Sequence, residues 1–132
     1  MVVGSRHNLK EISKGKVQSP SFVIGDSQID IVEKTKYLGI QLDQHLVWDE
    51  QTRFLRANVS RAIGFLKYAK KILPQEALSQ IYSGIVEPHF FYCCSVWRSS
   101  GESRRLPLQK LQNRAARIVT NSSYDASAAA LI

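Results

Sequence analysis

The chain has 132 residues, 44% hydrophobic and 22% charged, a balance that excludes disordered and fibrous classes and leaves one compact domain or a piece of something larger. Eighteen Lys and Arg against eleven Asp and Glu give a net charge of +7, which favours polyanionic partners but equally fits a merely basic soluble protein. No run approaches the roughly 20 apolar residues of a membrane span, and the opening MVVGSRHNLK lacks the layout of a secretory signal, so an intracellular location, nucleus or cytoplasm, is expected.

Residues 2–5, VVGS, are β-prone, and RHNLKEISKGKVQSPS after them reads as a polar, basic connection closed by Pro20. FVIG (22–25) and QIDIV (28–32) flank Asp26 and Ser27 and predict a hairpin with a short turn. In KYLGIQLD (36–43), Tyr37, Gly39, Gln41 and Asp43 alternate with Leu38, Ile40 and Leu42, the period of a half-buried strand. Asp49 is expected to cap a helix of about seven turns ending at Pro74, with Leu55, Val59, Ala62, Leu66, Ala69 and Leu73 as its apolar seam.

QEALSQIYSGIVEP repeats the helical spacing until Pro88, which kinks or ends it. PHFFYCCSVW is almost wholly apolar and reads as buried, so core packing is expected for Trp48, Trp97, Phe90, Phe91 and Tyr92, and exposure for Tyr37 and Tyr68. The neighbouring Cys93 and Cys94 cannot be joined to each other with ordinary disulfide geometry and fit a reducing compartment. After the polar loop RSSGESRR (98–105), a helix is expected to begin near Leu106 and Pro107 and to be broken by NSSYD. DASAAALI then starts a further helix with Asp125 as cap, and both ends of the chain read as cut from a longer polypeptide. The expected fold class is α+β, with short antiparallel strands over 1–47, a mostly helical bundle over 48–122, and the start of a truncated helix over 123–132.

Placing charge on these elements sharpens the composition argument. In LQKLQNRAARIV (108–119), Leu108, Leu111, Ala115 and Ile118 share one side of a helix, and Lys110, Arg114 and Arg117 share the other. On the preceding long helix, Arg53, Arg56, Lys67 and Lys71 lie within about a 60° arc opposite the apolar seam. Two cationic stripes backed by apolar seams, together with Lys34 and Lys36 on the strand edge, suit the phosphates of a nucleic acid if the helices lie side by side. Solvated faces, an acidic membrane surface and a small helical protein–protein interaction module remain the alternatives.

Signals for catalysis are weak. Asp26, Asp30, Asp43, Asp49 and Asp125 are isolated, and none forms the close carboxylate pair that holds two magnesium ions. His89 and Cys93 are spaced i, i+4, but no second ligand pair accompanies them, and ordinary packing is expected. No catalytic residue, metal ligand or cofactor is therefore expected for this chain.

KTKYLGIQLDQHLVW (34–48), IVEPHFFYCCSVW (85–97) and LQKLQNRAARIVT (108–120), in this order and spacing, resemble the region downstream of the catalytic core in reverse transcriptases of LINE-type, non-LTR retrotransposons of the jockey kind. The resemblance implies that the strands are the end of the palm and the helices the thumb that grips a template–primer duplex. It implies a primer-grip-like role for Lys36, Tyr37, Leu38 and Gly39, and as partners an RNA–DNA or DNA duplex and the remaining palm and fingers. The Y-x-D-D turn that carries the family's metal-binding aspartates does not occur here, so the magnesium-dependent polymerase activity is not implied for this chain. Arg98 after SVW, and Leu106-Pro107 at a helix start that is usually more polar, depart from the family pattern.

Overall fold

A computed structural model describes residues 1–14, 21–98 and 100–123, and the chain divides into two units, Met1–Glu50 and Gln51–Ile132. The architecture is α+β, short antiparallel strand pairs followed by helices.

In the first unit, the polar stretch after VVGS contains a helix, α1 (Arg6–Ser13), where a connection was expected. Ser5 supplies the reason: its hydroxyl accepts a hydrogen bond from the Asn8 N–H at 3.3 Å, capping a first turn whose donors otherwise have no partner. VVGS itself is not a strand. Gly4 instead donates its N–H to the Gln44 carbonyl at 3.0 Å.

β1 (Phe22–Ile24) and β2 (Ser27–Ile29) form the expected hairpin, with Phe22 opposite Ile29 and Ile24 opposite Ser27. The two turn residues are Gly25 and Asp26 rather than Asp26 and Ser27, because Gly25 takes the positive φ that a two-residue hairpin turn needs and glycine tolerates. Both strands are exposed along their whole length, and Ile24 is 72% exposed.

KYLGIQLD is not one strand. β3 (Lys34–Tyr37) and β4 (Ile40–Asp43) pair as a second hairpin about the turn residues Leu38 and Gly39, both with positive φ. The period-two pattern continues through the turn, so Leu38 counts as inward on spacing alone, yet at the tip it is 72% exposed.

The link to the next element is organised by Asp43, which alternation marks only as an outward polar residue. Its buried carboxylate accepts from three backbone N–H groups, those of His45 at 3.0 Å, Val47 at 3.1 Å and Trp48 at 2.9 Å. This holds a path on which Leu46 and Trp48 both adopt left-handed φ, a conformation that disfavours side chains by about 1–2 kcal/mol each. Asp49 is consequently the first residue of the following helix and not its cap.

In the second unit, α2 (Asp49–Ala69) stops one turn before the expected end. From Lys71 the backbone tightens, with Lys71 N–H bonded to Tyr68 O and Ile72 N–H to Ala69 O, so Lys71 lies in a turn beyond the helix. α3 (Gln75–Ile85) ends before Pro88, as expected, but the proline then serves in the first turn of a short helix, α4 (Glu87–Phe91), where its missing N–H costs nothing. α5 (Cys94–Trp97) follows. Of the apolar stretch read as buried, Trp97 is buried and Phe90 half-buried, whereas Phe91 and Tyr92 are 69% and 52% exposed. The short α4 and α5 have too few turns to bury every side of so apolar a segment. Trp48 is buried, and Tyr37 and Tyr68 are exposed, as expected.

α6 (Glu102–Val119) begins four residues before Leu106, taking in the second half of the expected loop and placing Pro107 inside the helix. It ends through a C-terminal cap in which Asn121 adopts positive φ and the Ser122 N–H reaches back to Arg117 O at 3.2 Å. The helix expected at DASAAALI lies outside the described residues.

The core is a seam of Val59, Ile63, Leu66 and Ala69 from α2, with Leu78 of α3, Val86 and the α6 residues Ala115 and Ile118. These are nearly all at positions whose helical spacing marked them as inward. Burial of a side chain of this size contributes about 1.5–3 kcal/mol, so this seam holds the three helices together and fixes which face of each remains outside.

Candidate nucleic-acid interface

The core seam dictates where the charges go. With Leu108, Ala115 and Ile118 of α6 buried, Lys110 and Arg114 are turned to the surface and Arg117 is half-buried, with its Nε out of contact with solvent. These three cations line an open cleft of about 760 Å³ together with Lys70, Asn113, Ile118 and Ser122. Lys70 belongs to the turn immediately after α2. Its N–H still bonds the Leu66 carbonyl at 2.9 Å, so its backbone carries on the path of α2, and it joins the cations of α6 only through the packing of the two elements.

The other predicted cations are distributed differently. Arg53 and Arg56 lie together with Ala57 and Ser60 on a shallower hollow of about 360 Å³ near the start of α2. Lys67 and Lys71 are exposed but line neither hollow. The structure thus gathers Lys110, Arg114 and Arg117 with Lys70, keeps Arg53 with Arg56, and does not bring these into one cleft.

In the first unit, Lys36 and Tyr37 end β3, and Leu38 and Gly39 form the hairpin turn that follows. Tyr37 is 64% exposed, so the four residues form a projecting tip with an aromatic and an aliphatic side chain uncovered. Lys34 is paired with Glu50, Nζ to Oε1 at 2.5 Å, an exposed ion pair of small energetic weight that nonetheless offsets part of the charge on this strand edge.

Chemically, several cations around one concave surface repel each other until an anion enters, and Lys and Arg donors at such a place suit the oxygens of phosphates. Asn113 and Ser122 add neutral polar groups to the same wall. Among the described residues there is no group of three or more His, Cys, Asp and Glu side chains placed to hold a metal ion. No helix among them is long and apolar enough to cross a membrane.

Two curated proteins of Drosophila melanogaster are similar to the chain. A probable RNA-directed DNA polymerase from transposon X-element is 31% identical over 110 residues, covering 80% of the chain and 12% of the relative. A probable RNA-directed DNA polymerase from transposon BS is 29% identical over 102 residues, covering 73% of the chain and 11% of the relative. The chain is related to a region of transposon RNA-directed DNA polymerases. It spans only about an eighth to a ninth of the length of these relatives. No family model matches the chain, and no solved structure matches it.

Proposed function

We propose that this polymerase-related chain is the stretch of a LINE-type, jockey-like reverse transcriptase in which the palm ends and the thumb begins, and that it holds a template–primer duplex without chemistry of its own. In this reading residues 1–47 close the palm, 48–122 form the thumb and 123–132 begin the next segment. Lys36, Tyr37, Leu38 and Gly39 would lie toward the primer terminus, and magnesium would bind only to aspartates of the whole polymerase outside this chain.

The observation that carries the proposal is the cleft of Lys70, Lys110, Arg114 and Arg117, a set of phosphate-matching donors on a chain similar to polymerases that handle both RNA and DNA strands. The exposed apolar hairpin β1–β2 adds support for a further partner, since a run of Phe22, Val23 and Ile24 in water is the kind of surface that the rest of a palm would cover.

The test is binding of the purified chain to a labelled RNA–DNA hybrid from roughly 50 to 300 mM salt, beside anionic vesicles. Steep loss of hybrid binding with salt, without comparable vesicle binding, is expected. A folded chain that ignores the hybrid would overturn the reading and leave the helical protein-interaction module in its place.

A further inference from the structure

α6 separates two surfaces of opposite character. Across from the cationic cleft, Gln112, Ala116 and Val119 of its other flank, with Thr120 just past its end, help line a cavity of about 870 Å³ with α3 and α4. Its aromatic lining is Tyr82, Phe90 and Phe91, and the charged side chains in its lining are both acidic, Glu76 and Glu87. Both glutamates occupy first turns, of α3 and α4 respectively, where the positive ends of the helix dipoles favour a carboxylate.

The two kinds of group are close enough to interact. The charge of Glu87, after burial itself, is among the causes that raise the Tyr82 phenol above its ordinary value, while the phenol keeps a hydrogen bond with the Gln112 side chain. Beyond Phe90 and Phe91 an adjoining hollow carries Arg98 and Arg105, so the acidic stretch is bounded on that side by cations. On a chain of net charge +7, this is a local inversion of the overall field.

Aromatic faces beside carboxylates in a concave, partly dry site are the surroundings that favour an ammonium or guanidinium group on an apolar carrier. Phe91 of the lining is 69% exposed and supplies apolar area that such a carrier would cover. We propose that the cavity between α3, α4 and α6 docks a short cationic amphipathic helix of a partner protein, with one Lys or Arg seated between Glu76, Glu87 and the aromatic side chains. The helix-in-groove mode fits a cavity walled by helices, and the arginines past Phe91 confine the basic end of the occupant to the glutamate end.

The experiment uses the whole chain and a fluorescein-labelled peptide of leucine and lysine, about 14 residues or four helical turns long, with leucines at helical spacing. A second peptide carries glutamate in place of lysine. The lysine peptide is expected to bind and the glutamate peptide not to, against the attraction that net charge alone would predict. Glu87→Gln and Phe91→Ala should each weaken lysine-peptide binding by about tenfold, the scale of a central interface contact. Val23→Ser in the exposed hairpin and Arg114→Ala in the cationic cleft should leave it unchanged. Phe91 is largely exposed, so its truncation does not endanger folding, which circular dichroism verifies. Equal binding of the two peptides, affinity untouched by both cavity variants, or loss of binding with Val23→Ser overturns the proposal.

Discussion

Asp43 shows how much a single side chain decides. Three backbone donors meet its carboxylate. Asp43→Ala strands them and should lower stability by about 2–4 kcal/mol, read as the urea midpoint by tryptophan fluorescence, with Asp43→Asn losing less because one acceptor oxygen remains. An alanine variant as stable as the parent would mean that water replaces the carboxylate. Tyr82 is a second case. Because burial and Glu87 raise its folded-state value above that of the unfolded chain, its contribution is complete below about pH 10 and is lost as the pH rises through the raised value. Stability should therefore fall more steeply above pH 10 in the parent than in Tyr82→Phe, measured by thermal unfolding at stepped pH.

At the scale of elements, the departures from expectation share a cause. Local pattern reports which residues avoid water, and it is silent where backbone geometry interrupts a pattern without changing it. Leu38 keeps the alternation of a strand while sitting in a turn, and Ala69 ends α2 although Leu73 continues its apolar spacing. Pro107 is the converse, a residue that ordinarily starts a helix but here lies within one. Inside α6 it removes the bond to the Ser103 carbonyl and crowds it, so Pro107→Ala should raise stability by about 1–2 kcal/mol, less than the full cost of a mid-helix proline because it also frees the unfolded chain. A thermal midpoint that falls would show that the ring's own packing outweighs the lost bond.

At the scale of the molecule, charge and core are coupled. The seam of Val59, Leu66, Ala115 and Ile118 turns Lys110 and Arg114 outward and leaves Arg117 half-buried, and Lys70 lies beside them in the same cleft. If this cleft holds phosphates, Arg114→Ala should weaken hybrid binding alike for all sequences and reduce the slope of log affinity against log salt by about one unit, with Lys71→Ala, which lies outside the cleft, changing it less. Equal effects of both would favour a diffuse cationic face over a site.

The α+β class, the first hairpin, most inward positions of α2 and α6 and the cationic side of α6 were legible in the sequence, because hydrophobic periodicity depends only on spacing along the chain, whereas α1 and the turn that splits β3 from β4 were not. Similarity to transposon polymerases was legible as well, from three motifs in their order and spacing. What only the tertiary structure decided is the grouping of charges: Lys70 with α6, Arg53 with Arg56 apart from it, and Glu76, Glu87 and three aromatic rings about one cavity. Lys70 and Arg117 are about 47 positions apart in the chain, and such proximity is set by how helices pack, which no local pattern encodes.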